Sequence, residues 1–207
     1  WLAFIGLINQ NVDITMLGIL SDAHSVGLYQ PAVRVASLVA MPQIIIGMAL
    51  APRIASFYAT DEISRIGKLA KKAARTSLLL GTSLALFAII FAPWILSLFG
   101  AEFTQSANVL RILCVSKLID MAFGYVGILL SMTQHAKAAL FGLVTSVVVN
   151  ITLNVVLIPS MGIQGAAVST TVSVIVWNFI MAVSVARKLG INATVLGLTE
   201  RQKTTIP

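Results

Sequence analysis

Charge is scarce in this sequence: Asp, Glu, Lys and Arg make up 10% of its 207 residues, whereas hydrophobic residues make up 58%. Soluble domains carry about 25% charged and roughly 45–50% apolar residues, so water is excluded as the main solvent of the folded chain. A soluble chain of this length can bury one core, but not apolar runs as long as those described below. Cysteine is nearly absent. The one thiol, Cys114, lies inside such a run, which excludes disulfides and thiolate metal sites as organising features and leaves a small apolar filler. Histidine is confined to His24 and His135, in separate loops. The sequence contains no metal-ligand cluster, nucleophile–base arrangement or phosphate-binding glycine loop, and Gly124 to Gly127 matches none. An enzymatic reading therefore has no site, and no cofactor or metal is expected. The net charge of +7 would suggest nucleic acid in a soluble protein, but the cations cluster where a membrane surface would be, and nucleic acid is rejected as a partner. The chain opens at Trp1 within an apolar stretch, without Met, basic n-region or cleavage site. A piece of a longer protein is expected.

Gaps in charge mark the spans. No charged residue lies between Arg75 and Glu102, and residues 76–99 exceed the ~20 needed to cross the hydrocarbon. Between Lys137 and Arg187 there is again no charge, with room for two crossings, 138–158 and 163–186, separated by Pro159 to Gly162. Residues 1–20, 26–51 and 106–132 are mainly apolar with internal charges. The expectation is an all-α polytopic membrane protein with six transmembrane helices over residues 1–189 and a cytoplasmic tail at 190–207.

Eleven of the 14 Lys and Arg residues fall in alternate loops: Arg53 to Arg75, Lys137, and Arg187 onward. The opposite loops carry Asp22 and Glu102 but no cation. By the positive-inside rule the basic loops and C-terminus are cytoplasmic. Residues 61–74 place Ile63, Ile66, Leu69, Ala70 and Ala73 at helical spacing among four cations, and an amphipathic helix lying on the lipid surface is expected there. Met41, Pro42, Gly47 and Pro93 are candidate bending points.

A charge at mid-bilayer costs at least ~2.5–3.5 kcal/mol, so ionisable residues inside spans must face protein or water. Asn9 and Asp13 share a face of the first span, beside Gln10 and Asn11. Gly27, Gln30, Arg34 and Ser37 follow spacings of three and four on the second. A hairpin turning at residues 21–25 brings Asp13 and Arg34 to similar depth, where they can pair within a water-filled cavity. Lys117 and Asp120 are three apart, placed either for a structural pair or for a transport path, and Arg111 is near enough to the span's end to snorkel. Gly142, Ser146, Asn150 and Asn154 line one face of the fifth span, and Gly165, Ser169 and Ser173 one face of the sixth, as helix packing favours.

Asp13, Met16, Leu17 and Gly18, then Val26, Gly27, Leu28, Tyr29 and Ala32, resemble the opening of the second half of polysaccharide-unit flippases. Pro52 fits the pattern as the close of the second span, and Leu98, Phe99, Gly100 and Phe103 follow the third. Asn150, Pro159, Gly162, Ile163, Gly165, Ala166 and Ala167 match around the last turn. Up to about Leu189 the chain is similar to the C-terminal half of an O-antigen or capsule-type flippase of the multidrug, oligosaccharidyl-lipid and polysaccharide exporter superfamily. The resemblance implies one six-helix lobe of a two-lobe transporter of 12 or more helices, without its N-terminal lobe. It further implies flipping of an undecaprenyl-diphosphate-linked oligosaccharide across a bacterial inner membrane for O-antigen or other polysaccharide biosynthesis. Arg34, with Lys117 or Arg111, would accept the phosphates, and Asp13 would tune Arg34 or carry a coupling proton; a sodium ion is the other coupling candidate. Asp13, Gln30, Arg34, Asn9, Asn150, Arg111, Lys117 and Asp120 are the candidate cavity residues. The rival readings are a multidrug or cation antiporter that uses Asp13 and Asp120 as ligands, and a non-transporting membrane assembly subunit.

Overall fold

The long uncharged runs fold as helices, since backbone groups in lipid find partners most simply within their own segment. A computed structural model of the protein describes the backbone of residues 2–191 and the side chains of residues 11–191. Among these residues there is no strand. The helices run in the order α1 (Leu2–Leu20), α2 (Ala23–Val39), α3 (Met41–Ala59), α4 (Ile63–Ile90) and α5 (Ala92–Ser97). After a 3-10 turn (Ala101–Ser106) come α6 (Ala107–Phe123), α7 (Val126–Met132), α8 (Ala136–Met161) and α9 (Ile163–Leu189). The expected side-chain positions of Asn9 and Gln10, and most of the 190–207 tail, lie outside the described residues.

The chain is an all-α polytopic membrane protein. α4, α8 and α9 are each long and apolar enough to cross a bilayer, and two bent pairs bring the spans to as many as five among the described residues. α1, expected as a further span, has 19 residues, and its described apolar part runs from Asn11 to Leu20.

The structure corrects several boundaries. Residues 61–74 do not form a separate surface helix but are the first half of α4, which runs unbroken from Ile63 to Ile90. No proline interrupts this stretch, and its buried positions Ile66, Ala70, Ala73, Ser77, Gly81, Ala85 and Ala88 make one continuous stripe. Pro52, expected at the close of the second span, lies within α3, which continues to Ala59. Pro159 lies inside α8, and Gly162 alone, at φ +58°, makes the turn into α9. The bend expected near Met41 and Pro42 is present: α2 and α3 meet at Ala40 at 49°, with Pro42 in the first turn of α3, where its missing N–H costs nothing. The other bent pair, 46° between the stretch ending at Phe123 and α7, breaks at Gly124, whose φ is +76°.

α8 and α9 form an intimate antiparallel hairpin; α1 lies on α8, α6 packs between α9 and α4, and α3 packs on α4 and α7. Two apolar clusters result, one at each end of the bundle. The first joins Leu17, Tyr29, Leu96, Leu110 and Ile158 near the turns at residues 21–22, 100–106 and 162. The second joins Ile54, Ile66, Leu129, Leu143 and Val185 near the turns at 60–62 and 133–135. The cations Arg65, Lys68, Lys72, Lys137, Arg187 and Lys188 belong to the second end. Most of the buried polar side chains, including Asp13, Ser146, Asn150 and Asn178, occupy the layer between the clusters.

Candidate functional site

A cavity of about 1000 Å³ opens in this polar layer, walled by members of both apolar clusters. Ala40 and Gly124, where the two bent pairs turn, both line it. The bends therefore widen the bundle at mid-depth, where straight helices would close on one another.

One wall is organised by Asp13, which is 7% exposed. Its Oδ1 accepts from Nδ2 of Asn150 at 2.9 Å and Nδ2 of Asn154 at 3.0 Å. Its Oδ2 accepts from the hydroxyl of Thr170 and, at 3.5 Å, from that of Tyr29. Asn154 also donates to Oδ1 of Asn150 at 2.9 Å, and its own Oδ1 is buried without a partner. One carboxylate thus ties α1 to α2, α8 and α9. The local sequence explains the convergence: Asn150 and Asn154 are four apart on α8, on the buried face that also carries Gly142 and Ser146. Gly165, Ser169 and Ser173 give α9 a small-residue face that lets it approach α8, and Ser146 donates to the Ser173 carbonyl at 3.3 Å. A buried carboxylate is tolerated only when donors replace its water, and this one has four.

The expected pair between Asp13 and Arg34 does not form. The turn lies at Ser21 and Asp22, so Tyr29 is the α2 residue that meets Asp13. Arg34 stands five residues beyond it, roughly 7 Å further along the helix and about 140° round it. Arg34 is exposed, as are Gly27 and Ser37, while Gln30 is half-buried. Ser37 lines the cavity, whereas Arg34, three residues before it on α2, is exposed and is not among the lining residues.

The second wall centres on Asp120, whose Oδ1 accepts from Nδ2 of Asn178 on α9 at 2.7 Å. The expected pair of Lys117 with Asp120 is absent among the described residues, although both line the cavity. A neighbouring-turn ion pair is worth only ~0.2–0.5 kcal/mol, and the cross-helix amide takes the carboxylate instead. Arg111 does not snorkel freely: its Nε donates to the Ile89 carbonyl at 3.3 Å and its NH1 to Oδ1 of Asn108 at 2.9 Å. It satisfies a carbonyl in the last turn of α4, where a cation also suits the helix dipole. It lies away from the cavity lining.

Asp13, Lys117 and Asp120 are thus brought to one cavity, with Asn150 behind Asp13. The side chain of Asn9 lies outside the described residues. The sequence reading missed Tyr29, Thr170, Gln43, Trp177 and Asn178 as cavity residues, and took Asn154 only as packing. The four-residue spacing of Asn150 and Asn154 was the available signal for the last; Thr170 and Asn178 offered none that distinguishes them from other polar residues of α9.

Residues 4–156 match the family described as MatE. The protein named "Probable low-salt glycan biosynthesis flippase Agl15" of Haloferax volcanii is 30% identical over 163 residues, covering 78% of this chain and 34% of that protein. "Probable flippase AglR" of the same organism is 26% identical over 165 residues, covering 78% and 35%. The chain thus spans about a third of the length of these curated relatives. No solved structure matches.

Proposed function

The chain belongs to the MatE family, and we propose that it is part of a membrane transporter that flips a lipid-linked glycan between leaflets. The observation that carries this reading is the Asp13 cluster, a buried carboxylate joining four helices at the wall of a cavity. It stands in a chain whose relatives are named as flippases, one of them for glycan biosynthesis. The chemistry agrees, since a sugar chain and its phosphates cannot cross hydrocarbon without a polar route.

In this proposal Asp13 couples transport to an ion. Protonating Oδ2 gives it a proton to donate where it had accepted from Thr170 and Tyr29, so one of these hydroxyls must turn to accept while Asn150 and Asn154 keep Oδ1. A proton or a sodium ion is the coupling species, and the linked event is a rearrangement of the contacts that α1 makes with α2 and α9. Arg34, exposed on α2, offers a planar fork of donors to a phosphate. The carrier is a polyprenyl phosphate or diphosphate; undecaprenyl diphosphate, an O-antigen or capsule unit and a bacterial inner membrane are the forms that the sequence resemblance implies. The basic end of the bundle faces the cytoplasm, and the remainder of a longer protein completes the cavity.

A second reading has a specific observation in its favour. The described cavity wall holds two carboxylates, Asp13 and Asp120, but one cation, Lys117, which suits a cationic cargo and an antiporter. Both readings are tested with the full-length protein in proteoliposomes, offering a fluorescent polyprenyl-diphosphate oligosaccharide or ethidium. Movement of the lipid-linked glycan and not of ethidium is expected. Uptake of ethidium with a stationary lipid would replace the flippase by the antiporter.

A further inference from the structure

Resting on the glycan-flippase reading, we propose that the second wall of the cavity, to which α3, α6, α7 and α9 contribute lining residues, binds the sugar hydroxyls of the cargo. Gln43, Lys117, Asp120, Trp177 and Asn178 line the cavity there, and their hydrogen-bonding capacity is largely unused. Asp120 accepts one bond, from Asn178. The indole N–H of Trp177 is buried without a partner. The amide of Gln43 and the ammonium of Lys117 make no hydrogen bond among the described residues.

The composition of this set decides between ligand chemistries. A phosphate takes donors only, and a metal or organic cation takes acceptors and aromatic faces only. Here acceptors (Asp120, Gln43 and the Asn178 carbonyl) stand beside donors (Gln43, Lys117 and Trp177). A hydroxyl both donates and accepts, so a polyol is the ligand that uses both. Trp177 adds a broad apolar ring with one polar edge, against which the C–H face of a sugar ring can lie. Gly124, at the break between α6 and α7, and Gly127, in the first turn of α7, line the cavity without side chains to fill it. The Asp13 wall is different, because its donors are already committed to one carboxylate. The cavity thus divides into a coupling wall and a cargo wall.

The test uses the full-length protein in phosphatidylcholine nanodiscs, titrated with polyprenyl diphosphate carrying a trisaccharide and with bare polyprenyl diphosphate. The wild type should prefer the glycan-bearing lipid at least tenfold. Gln43→Leu, Asp120→Asn and Trp177→Leu should each lower that preference about tenfold, the worth of one good hydrogen bond or stacking contact. Trp177→Phe, which keeps an aromatic face and most of the packing, should retain the larger part of it. A preference unchanged in all variants would overturn the subsite, and so would affinities for both probes falling together. A wild type that binds the two probes equally but still moves the glycan-bearing lipid in proteoliposomes would refute the subsite and leave the flippase standing. A wild type that neither binds nor moves it would remove both.

Discussion

Replacing Asp13 by alanine removes the acceptor on which Asn150, Asn154, Thr170 and Tyr29 converge. The four donors do not suffer equally. Thr170 has a second acceptor in the Ala166 carbonyl at 3.1 Å, and Tyr29 sits at 3.5 Å, the edge of a hydrogen bond. The two amides are the groups left stranded, Asn154 keeping only its bond to Asn150 at 2.9 Å. A buried donor deprived of its partner costs ~1–3 kcal/mol, so Asp13→Ala should destabilise the full-length protein by roughly 2–6 kcal/mol. Asp13→Asn is milder. Its carbonyl oxygen still receives Asn150 and Asn154, and its amino group faces hydroxyls that can accept, for a cost of about 1 kcal/mol.

The pair of substitutions separates structure from coupling. Thermal unfolding in detergent should rank wild type and Asp13→Asn close together and Asp13→Ala well below. Gradient-driven translocation of the fluorescent lipid-linked glycan should be lost in both, because neither variant can exchange a charge. An Asp13→Asn protein that still responds fully to an imposed ion gradient would refute the coupling role. An Asp13→Ala protein as stable as the wild type would refute the structural reasoning.

Gly165→Ala should weaken the α8–α9 hairpin, because a Cβ there would lie 2.5 Å from the Leu157 carbonyl carbon and 3.0 Å from the Ile158 nitrogen. Backbone cannot swing aside as a side chain can, so a cost of about 3 kcal/mol, the upper part of the overpacking range, is expected in a denaturation midpoint; an unchanged midpoint would contradict the close approach. Arg34→Ala should leave that midpoint nearly unchanged, since the side chain is exposed, while weakening vesicle-borne polyprenyl diphosphate binding; Arg34→Lys should restore it only in part. In the turn before α2, the Asp22 carboxyl is held below its usual range by the backbone N–H and hydroxyl of Ser25. A lowered folded-state pKa means that this cap contributes fully above the unfolded value of ~3.9 and is lost as pH falls through the folded value. Acid titration of the midpoint should show this component in the wild type and not in Asp22→Asn, whose neutral side chain still accepts the bond.

The helical membrane fold was legible because it follows from long stretches without charge, and the medium then fixes the secondary structure. Boundaries were harder where charge and helix disagree. Lys68, Lys71 and Lys72 argued for a surface segment, yet the small residues Ala70, Ala73, Ser77 and Gly81 carry one buried stripe through them. Charge reports where lipid ends, not where a helix ends. The break at Gly124 was invisible for the opposite reason: MAFGYVG is apolar throughout, and only the positive φ distinguishes this glycine from one that serves packing.

The lining of the candidate cavity was legible in both acids but in only one of three cations. Both carboxylates expected inside the membrane reach the cavity, but of the three cations counted with them only Lys117 lines it; Arg111 binds the end of α4 and Arg34 stands exposed on α2. Spacing along one helix fixes which residues share a face, but the partner face is set by the turn, and a turn some two residues earlier than supposed substituted Tyr29 for Arg34. This placement constrains how a lipid-linked glycan would lie. Its phosphate joins a tail that must remain in lipid to a sugar that must leave it, so the phosphate belongs at the cavity's edge and the sugar inside. An arginine exposed on α2 and a mixed set of donors and acceptors lining the cavity would suit such a cargo. A cavity acidic on its described wall is then no obstacle to an anionic head group, because the anion need not enter it.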